Sequence, residues 1–236
     1  MDAAGSRFDG LTALITGSTS GIGLAVSDAI EARGGRVIRH GLGLEGALGQ
    51  DLAEEGAGTS LAAAALSIAP VDILVLSASL QIREPWVSIT GDQAGRQLRV
   101  NLLSALELMQ GLAPGMVERG WGRILTIGSV QQRQPHRDML VYAASKAAQF
   151  NIVINLARQL APSGVTVNNL SPGVIDTPRN ADALASQAYL DETISHIPAG
   201  RIGLPSDCVP AAMLLCSRDS GYITGQDIAV DGGFGL

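Results

Sequence analysis

Tyr142 and Lys146 stand four apart in "YAASK", at the start of a long helical stretch, so both side chains fall on one helix face. Thirteen residues before Tyr142, Ser129 ends the apolar run "GRILTIGS" (122–129), which reads as a buried strand. Open α/β sheets gather their ligands at the carboxyl ends of strands. A hydroxyl, a phenol and an ammonium converging there suit proton transfer to or from an alcohol oxygen. A free tyrosine titrates near ~10, so one that works near neutrality needs a positive neighbour, which Lys146 offers. Alone, the Tyr–Lys spacing reads more readily as a surface pair; Ser129 turns it toward chemistry.

A second cluster sits near the start of the chain. The strand-like run "LTALIT" (11–16) leads into "TGSTSGIG" (16–23), where Gly17, Gly21 and Gly23 let the backbone turn tightly. Free N–H groups at the start of the following helix favour a pyrophosphate, and Ser18, Thr19 and Ser20 add hydroxyls. Between a first strand and a helix, such a turn is a dinucleotide signal. An oxidised nicotinamide would add positive charge beside the phenol, and the proton transfer would then be coupled to hydride transfer.

The elements that must position these groups alternate. Strand-like runs lie at 11–16, "RVIRH" (36–40), "VDILVLSA" (71–78), 122–129, "GVTVNNLSPG" (164–173) and "DIAVDG" (227–232). Helical patterns cover about 21–33, 92–119, 141–161 and 206–217. Continuous apolar strands alternating with helices predict a mostly parallel, doubly wound sheet with helices on both faces. With 236 residues, 46% of them apolar, and no long linker or repeat, a single domain over 1–236 is expected. A net charge of −6 without a basic cluster argues against nucleic-acid or anionic-membrane partners. No apolar run approaches the ~18 residues of a membrane span. "MDAAGSRFDG" lacks a secretory pattern. Cys208 and Cys216 read as reduced core thiols of a cytoplasmic protein. The three histidines, at 40, 136 and 196, are too scattered for a metal site, so none is expected.

Taken together, these motifs resemble the short-chain dehydrogenase/reductase family over nearly the whole chain. "TGSTSGIG" is similar to its cofactor turn, "SPGVIDT" (171–177) to its Pro-Gly segment beside the nicotinamide, and "RIGLPSD" (201–207) and "YITGQDIAVDGG" (222–233) to its C-terminal pattern. The resemblance implies a Rossmann fold with a seven-stranded, mostly parallel sheet, commonly assembled as a homotetramer or homodimer. It implies a catalytic set of Asn101, Ser129, Tyr142 and Lys146, with Tyr142 as general acid/base and Asn101 anchoring a water between Lys146 and solvent. It implies cofactor contacts from Gly17, Ser18, Ser20, Gly21, Ile22, Gly23, Gly41, Leu42, Asp51, Leu52, Ser77, Ala78, Tyr142, Lys146, Pro172, Gly173, Val174 and Thr177.

Two stretches depart from the family pattern. "LSAS" (76–79) replaces the usual Asn-Asn-Ala-Gly, so Leu76 is expected to pack apolarly and Ala78 to leave room beside the cofactor. Between the second strand and "ALGQD" (47–51), read as the third, only 41–46 intervene. Parallel neighbours need a dozen or more residues of crossover. The helix there is therefore expected to be shortened or absent, leaving one sheet face locally uncovered, to be filled by a partner subunit or tolerated. The same stretch bears on the cofactor. Gly41 stands where an acidic residue would mark NAD, and Leu42 and Ser20 stand where a cation would mark NADP. Arg39 and His40 are the nearest cations. "HGLG" resembles a turn of NAD-using members, so NAD is favoured over NADP.

For the substrate side, "VQQRQPHRDM" (130–139) is polar, with Gln131 and His136 the expected contacts beside Ser129 and Tyr142. Arg133 and Arg137 read equally well as solvated. Residues 178–197 read as a mobile, helix-containing lid. A small polar hydroxy or oxo compound (sugar, polyol or hydroxy/oxo acid) is the expected substrate, and a 3-oxoacyl thioester reduced with NADPH is the alternative. A non-catalytic dinucleotide-binding regulator is the rival of another class; such a protein would usually have lost Ser129, Tyr142 or Lys146. A nucleotide-dependent transferase has no need of Tyr142 and Lys146 on one face.

Overall fold

In the computed structural model, which describes residues 8–43 and 45–236, the strands are β1 (Thr12–Thr16), β2 (Arg36–Arg39), β3 (Ile73–Leu76), β4 (Gly122–Ile127), β5 (Val165–Pro172) and β6 (Asp227–Val230). They form one sheet in the order β2-β1-β3-β4-β5-β6, every neighbouring pair parallel. The helices are α1 (Gly21–Glu31), α2 (Ala57–Ile68), α3 (Gly91–Leu98), α4 (Ser104–Glu118), α5 (Leu140–Leu160), α6 (Ala181–Leu184), α7 (Gln187–Ser195) and α8 (Pro205–Cys216). A π turn, Arg99–Leu103, joins α3 to α4.

Side chains alternate across the strands, and each side meets helices. Leu14, Leu74, Leu76 and Ile124 pack with residues of α2, α4 and α5. Ala13, Ile15, Ile73, Val75 and Leu125 pack with residues of α1 and α8. Burial on both faces is why these strands read as unbroken apolar runs. Leu76 lies in the core, as its apolar replacement of a polar residue predicts.

Among the described residues the sheet has six strands rather than the seven expected. "ALGQD" contributes a single parallel bridge between His40 and Leu48. Gly41 N–H donates to the Leu48 carbonyl (3.0 Å) and Leu48 N–H to the Arg39 carbonyl (2.9 Å). The connection is too short to carry a longer parallel ladder. Gly43 and Gly46, with φ of +74° and +80°, turn the chain, and no helix occurs among the described residues between β2 and α2. The sheet face expected to be bare is covered. Ile38 packs with Leu48 and Leu52 in one cluster, and Val37 lies against the other. Loop leucines do the work of the missing helix. Residues 1–7, on which the reading of the N-terminus rests, lie outside the described residues, as does Leu44.

On α5 the buried residues Tyr142, Lys146, Gln149, Val153 and Ala157 follow one another at spacings of three or four, forming a single stripe. Its lower end packs in the core, which fixes the rotation of the helix and so the aim of its first turns.

Candidate active site

The order of strands reverses around β1, and the glycine turn emerges at that switch point. Thr16 Oγ1 accepts from the N–H groups of Ser77 (3.0 Å) and Ala78 (3.1 Å), tying the ends of β1 and β3 together. A Cβ on Gly17 would stand 2.9 Å from Ala78 Cα and N, and one on Gly23 2.3 Å from the Gly17 carbonyl oxygen. Gly21 takes φ +55°. Only glycine fits such approaches. Ser20 precedes α1 without a side-chain cap, and the first turn holds no acidic residue. Its N–H groups are thus left to an anion, and these features fit a dinucleotide pyrophosphate.

A cavity of about 720 Å³ opens beside this turn, within the ~300–1,000 Å³ usual for ligand clefts. Gly17, Ser20, Gly21, Ile22, Gly41, Leu42, Asp51, Leu52, Ser77, Ala78, Pro172, Gly173, Val174 and Thr177 line it, together with Ser129, Gln131, His136 and Tyr142. Four expected residues stand behind the wall. Ser18 Oγ is exchanged with the backbone of His40, donating to its carbonyl (3.2 Å) and accepting from its N–H (2.9 Å). Gly23 packs beneath Gly17, and Asn101 and Lys146 are buried.

Ser129 follows β4 and caps a short 3-10 turn, its Oγ accepting from Gln131 N–H at 3.2 Å. Tyr142 is 5% exposed and lines the same cavity. Lys146 Nζ lies 5.9 Å from the centroid of the Tyr142 ring and donates to the Ile127 carbonyl at 2.7 Å. Burial first, then the charge of Arg179, pushes the Lys146 ammonium down to about 7. Asn101 does not reach Lys146 with its side chain, which is spent on Leu80 N–H, the Leu80 carbonyl and Ser145 Oγ.

Both cations near the end of β2 are engaged by the protein itself, although His40 also lines the cavity. Arg39 turns onto α1, paired with Asp28 (2.7 Å) and Glu31 (2.8 Å). His40 is buried, accepting at Nδ1 from Gly17 N–H (3.3 Å) and bonded through Nε2 to the Gln50 carbonyl (2.9 Å). That pairing leaves the proton on Nε2 and the ring neutral. Burial lowers its pKa, opposed by the Gln50 carbonyl and Asp51. Gly41 has its own reason: a Cβ there would lie 2.2 Å from Thr19 Cγ2.

On the substrate side, Gln131 Oε1 accepts from His136 N–H, and His136 Nδ1 accepts from Asp138 N–H. Arg133 is drawn away to buried Asp227 (2.8 Å), and Arg137, highly exposed, pairs at 3.7 Å with Asp138. Neither lines the cavity. The wall instead includes Gln81, Arg83, Arg179, Tyr189, Glu192 and His196, which the sequence reading did not single out. Arg83 donates to Tyr189 Oη at 3.4 Å and Arg179 to the Ser79 carbonyl at 2.7 Å. Neither guanidinium pairs with a carboxylate among the described residues. Their signal was position: one follows β3, the other opens the segment read as a lid.

A doubly wound parallel sheet with a glycine turn at its switch point defines a nucleotide-binding α/β protein. Residues 17–235 match the family model described as enoyl-(acyl carrier protein) reductase. The chain is 32% identical over 240 residues to the 3-oxoacyl-(acyl-carrier-protein) reductase FabG of Salmonella typhimurium, covering 96% of this chain and 98% of that protein. A 3-oxoacyl (acyl-carrier-protein) reductase from Agrobacterium tumefaciens C58, solved with NADP bound, superposes with TM-score 0.93 at 39% identity, covering 98% of this chain and 96% of the other. A gluconate 5-dehydrogenase from Burkholderia cenocepacia J2315, solved with NADP and tartrate, gives 0.92 at 30% identity, covering 98% and 97%. The chain belongs to the short-chain dehydrogenase/reductase family. It is an NAD(P)-dependent oxidoreductase acting on CH–OH groups. Among the described residues no three His, Cys, Asp or Glu side chains are grouped to hold a metal, and no helix is long and apolar enough to cross a membrane.

Proposed function

We propose that this chain interconverts the hydroxyl and keto groups of a small polar acid, a hydroxy or oxo acid, with NADP(H) as hydride partner. The observation that carries the reading is that Ser129 and Tyr142 line one cavity with the glycine turn, with Lys146 buried behind the phenol. The nicotinamide, when bound, supplies or accepts the hydride. Ser129 Oγ hydrogen-bonds the substrate oxygen and orients it. Tyr142 gives that oxygen a proton in reduction and takes it in oxidation. Lys146 holds positive charge beside the phenol. Asn101 braces this corner from behind.

The expected cofactor residues around the glycine turn, at 41–42, 51–52, 77–78 and 172–177, would hold the dinucleotide. NADP rather than the NAD favoured by the sequence is supported by NADP in the solved relatives. No carboxylate stands at Gly41 to repel a 2′-phosphate, and no free cation stands near to demand one, so discrimination between the two is small. Gln131 and His136 face substrate, and residues 178–197 act as its lid. Arg83 and Arg179 favour an acid, since a guanidinium without a carboxylate is suited to bind one. A 3-oxoacyl thioester reduced with NADPH is the second reading, favoured by relatives that carry that name. The protein works as one domain and a homotetramer, a state that sedimentation velocity measures. Two free, buried cysteines suit a reducing cytoplasm.

The test is a panel of small oxo acids and 3-oxoacyl thioesters supplied with NADPH or NADH, followed by loss of reduced-nicotinamide absorbance. Turnover concentrated on the oxo acids, with NADPH only modestly preferred over NADH, is expected. Turnover confined to thioesters contradicts the first reading and supports the second.

A further inference from the structure

Lys146 is the only lysine in the chain, and it is 1% exposed. Besides the Ile127 carbonyl, its Nζ donates to Oε1 of Gln149 at 3.3 Å. Gln149 is buried and is itself held, its Nε2 donating to the Asn101 carbonyl at 3.1 Å. The direction of that amide is forced. An ammonium only donates and a carbonyl only accepts, so the reverse orientation would set donor against donor and oxygen against oxygen. Gln149 belongs to the buried stripe of α5, three residues beyond Lys146, and Asn101 belongs to the π turn. Such turns recur at functional sites.

We propose that Gln149 is a positioning residue: its side-chain amide is a strut between the Asn101 carbonyl and the Lys146 ammonium, holding Nζ behind Tyr142 and favouring its charged form. The purpose of the strut rests on the functional reading above; its existence does not. Two titratable groups face Lys146, Tyr142 from its own helix and Arg179 from the segment after β5, while β4 presents the Ile127 carbonyl. Burial works against the charge, and the oxygens of Ile127 and Gln149 work for it. Without Oε1 the ammonium keeps one of these two acceptors.

Because the chain has one lysine, protein grown with lysine carbon-labelled at Cε gives a single side-chain NMR signal. Its pH titration reads Lys146 directly, with no need of turnover. Gln149→Leu keeps the bulk and removes the acceptor, so the midpoint falls by about one pH unit or more. Gln149→Glu sets a carboxylate against Nζ, so the midpoint rises. A filler of core space would give no such opposite shifts. Should the Leu variant not fold, Gln149→Met, which also lacks the oxygen acceptor, takes its place. An unmoved midpoint in a folded variant overturns the strut. Shifted midpoints in a protein that turns over no substrate would keep the strut and refute the functional reading alone.

Discussion

Arg83 and Arg179 reach the cavity from different strand-end segments, and each is steadied by one neutral partner, Tyr189 Oη and the Ser79 carbonyl. A carboxylate substrate meeting Arg83 would replace a weak contact with a charge-assisted pair. Arg83→Ala should therefore raise KM for an oxo acid by ~10-fold, the cost of a hydrogen bond between charged groups. KM for a neutral ketone should stay within ~2-fold, since that substrate loses no such bond. Equal effects on both substrates would show that Arg83 shapes the wall without reading charge. Tyr142, Lys146 and Ser129 were legible in the sequence because helix geometry and the end of an apolar strand fix where they point. Arg83 and Arg179 were not, because no periodicity marks a loop residue. Arg133 illustrates the converse: its neighbours in sequence face the cavity, but the buried carboxylate of Asp227 claims its guanidinium.

The connection after β2 shows what a short element can still hold. Its length predicted the lost helix, but not that the third strand would shrink to one bridge or that Leu48 and Leu52 would cover the exposed face. Those outcomes depend on side chains meeting across the sheet, which spacing alone does not record. His40 is the pin of this region, joining Gly17 N–H to the Gln50 carbonyl. Its pKa is lowered on folding, chiefly by burial, so the unfolded chain binds a proton more readily. The stability that neutral His40 contributes is complete above the unfolded value of ~6.5 and is lost as pH falls below it. Asp51 is the charged group that opposes this loss. His40→Asn should be less stable at pH 7.5 by ~1–2 kcal/mol, through its weaker bonds. Between pH ~6.5 and 5 its Tm should fall less steeply than that of the wild type. Parallel Tm curves in the two proteins would contradict the account.

At the scale of the molecule, the alternation of apolar strands and helices was enough to predict the doubly wound sheet, because burial on both faces leaves few other topologies. The cofactor was harder to read. The end of β2 lacks both the carboxylate and the cation that usually declare a preference, and the structure engages the two remaining candidates, Arg39 with α1 and the His40 ring with Gly17 N–H and the Gln50 carbonyl. Everything then converges on whether hydride transfer in this cavity depends on the phenol of Tyr142. The direct measurement is a single turnover of NADPH with an oxo acid in wild type and Tyr142→Phe, each with cofactor binding determined separately. The prediction is bound NADPH in both, with the rate falling by ~100-fold or more in the variant from loss of the general acid. Equal rates in the two proteins, or no oxidation of bound NADPH by the wild type with any oxo acid, would contradict it.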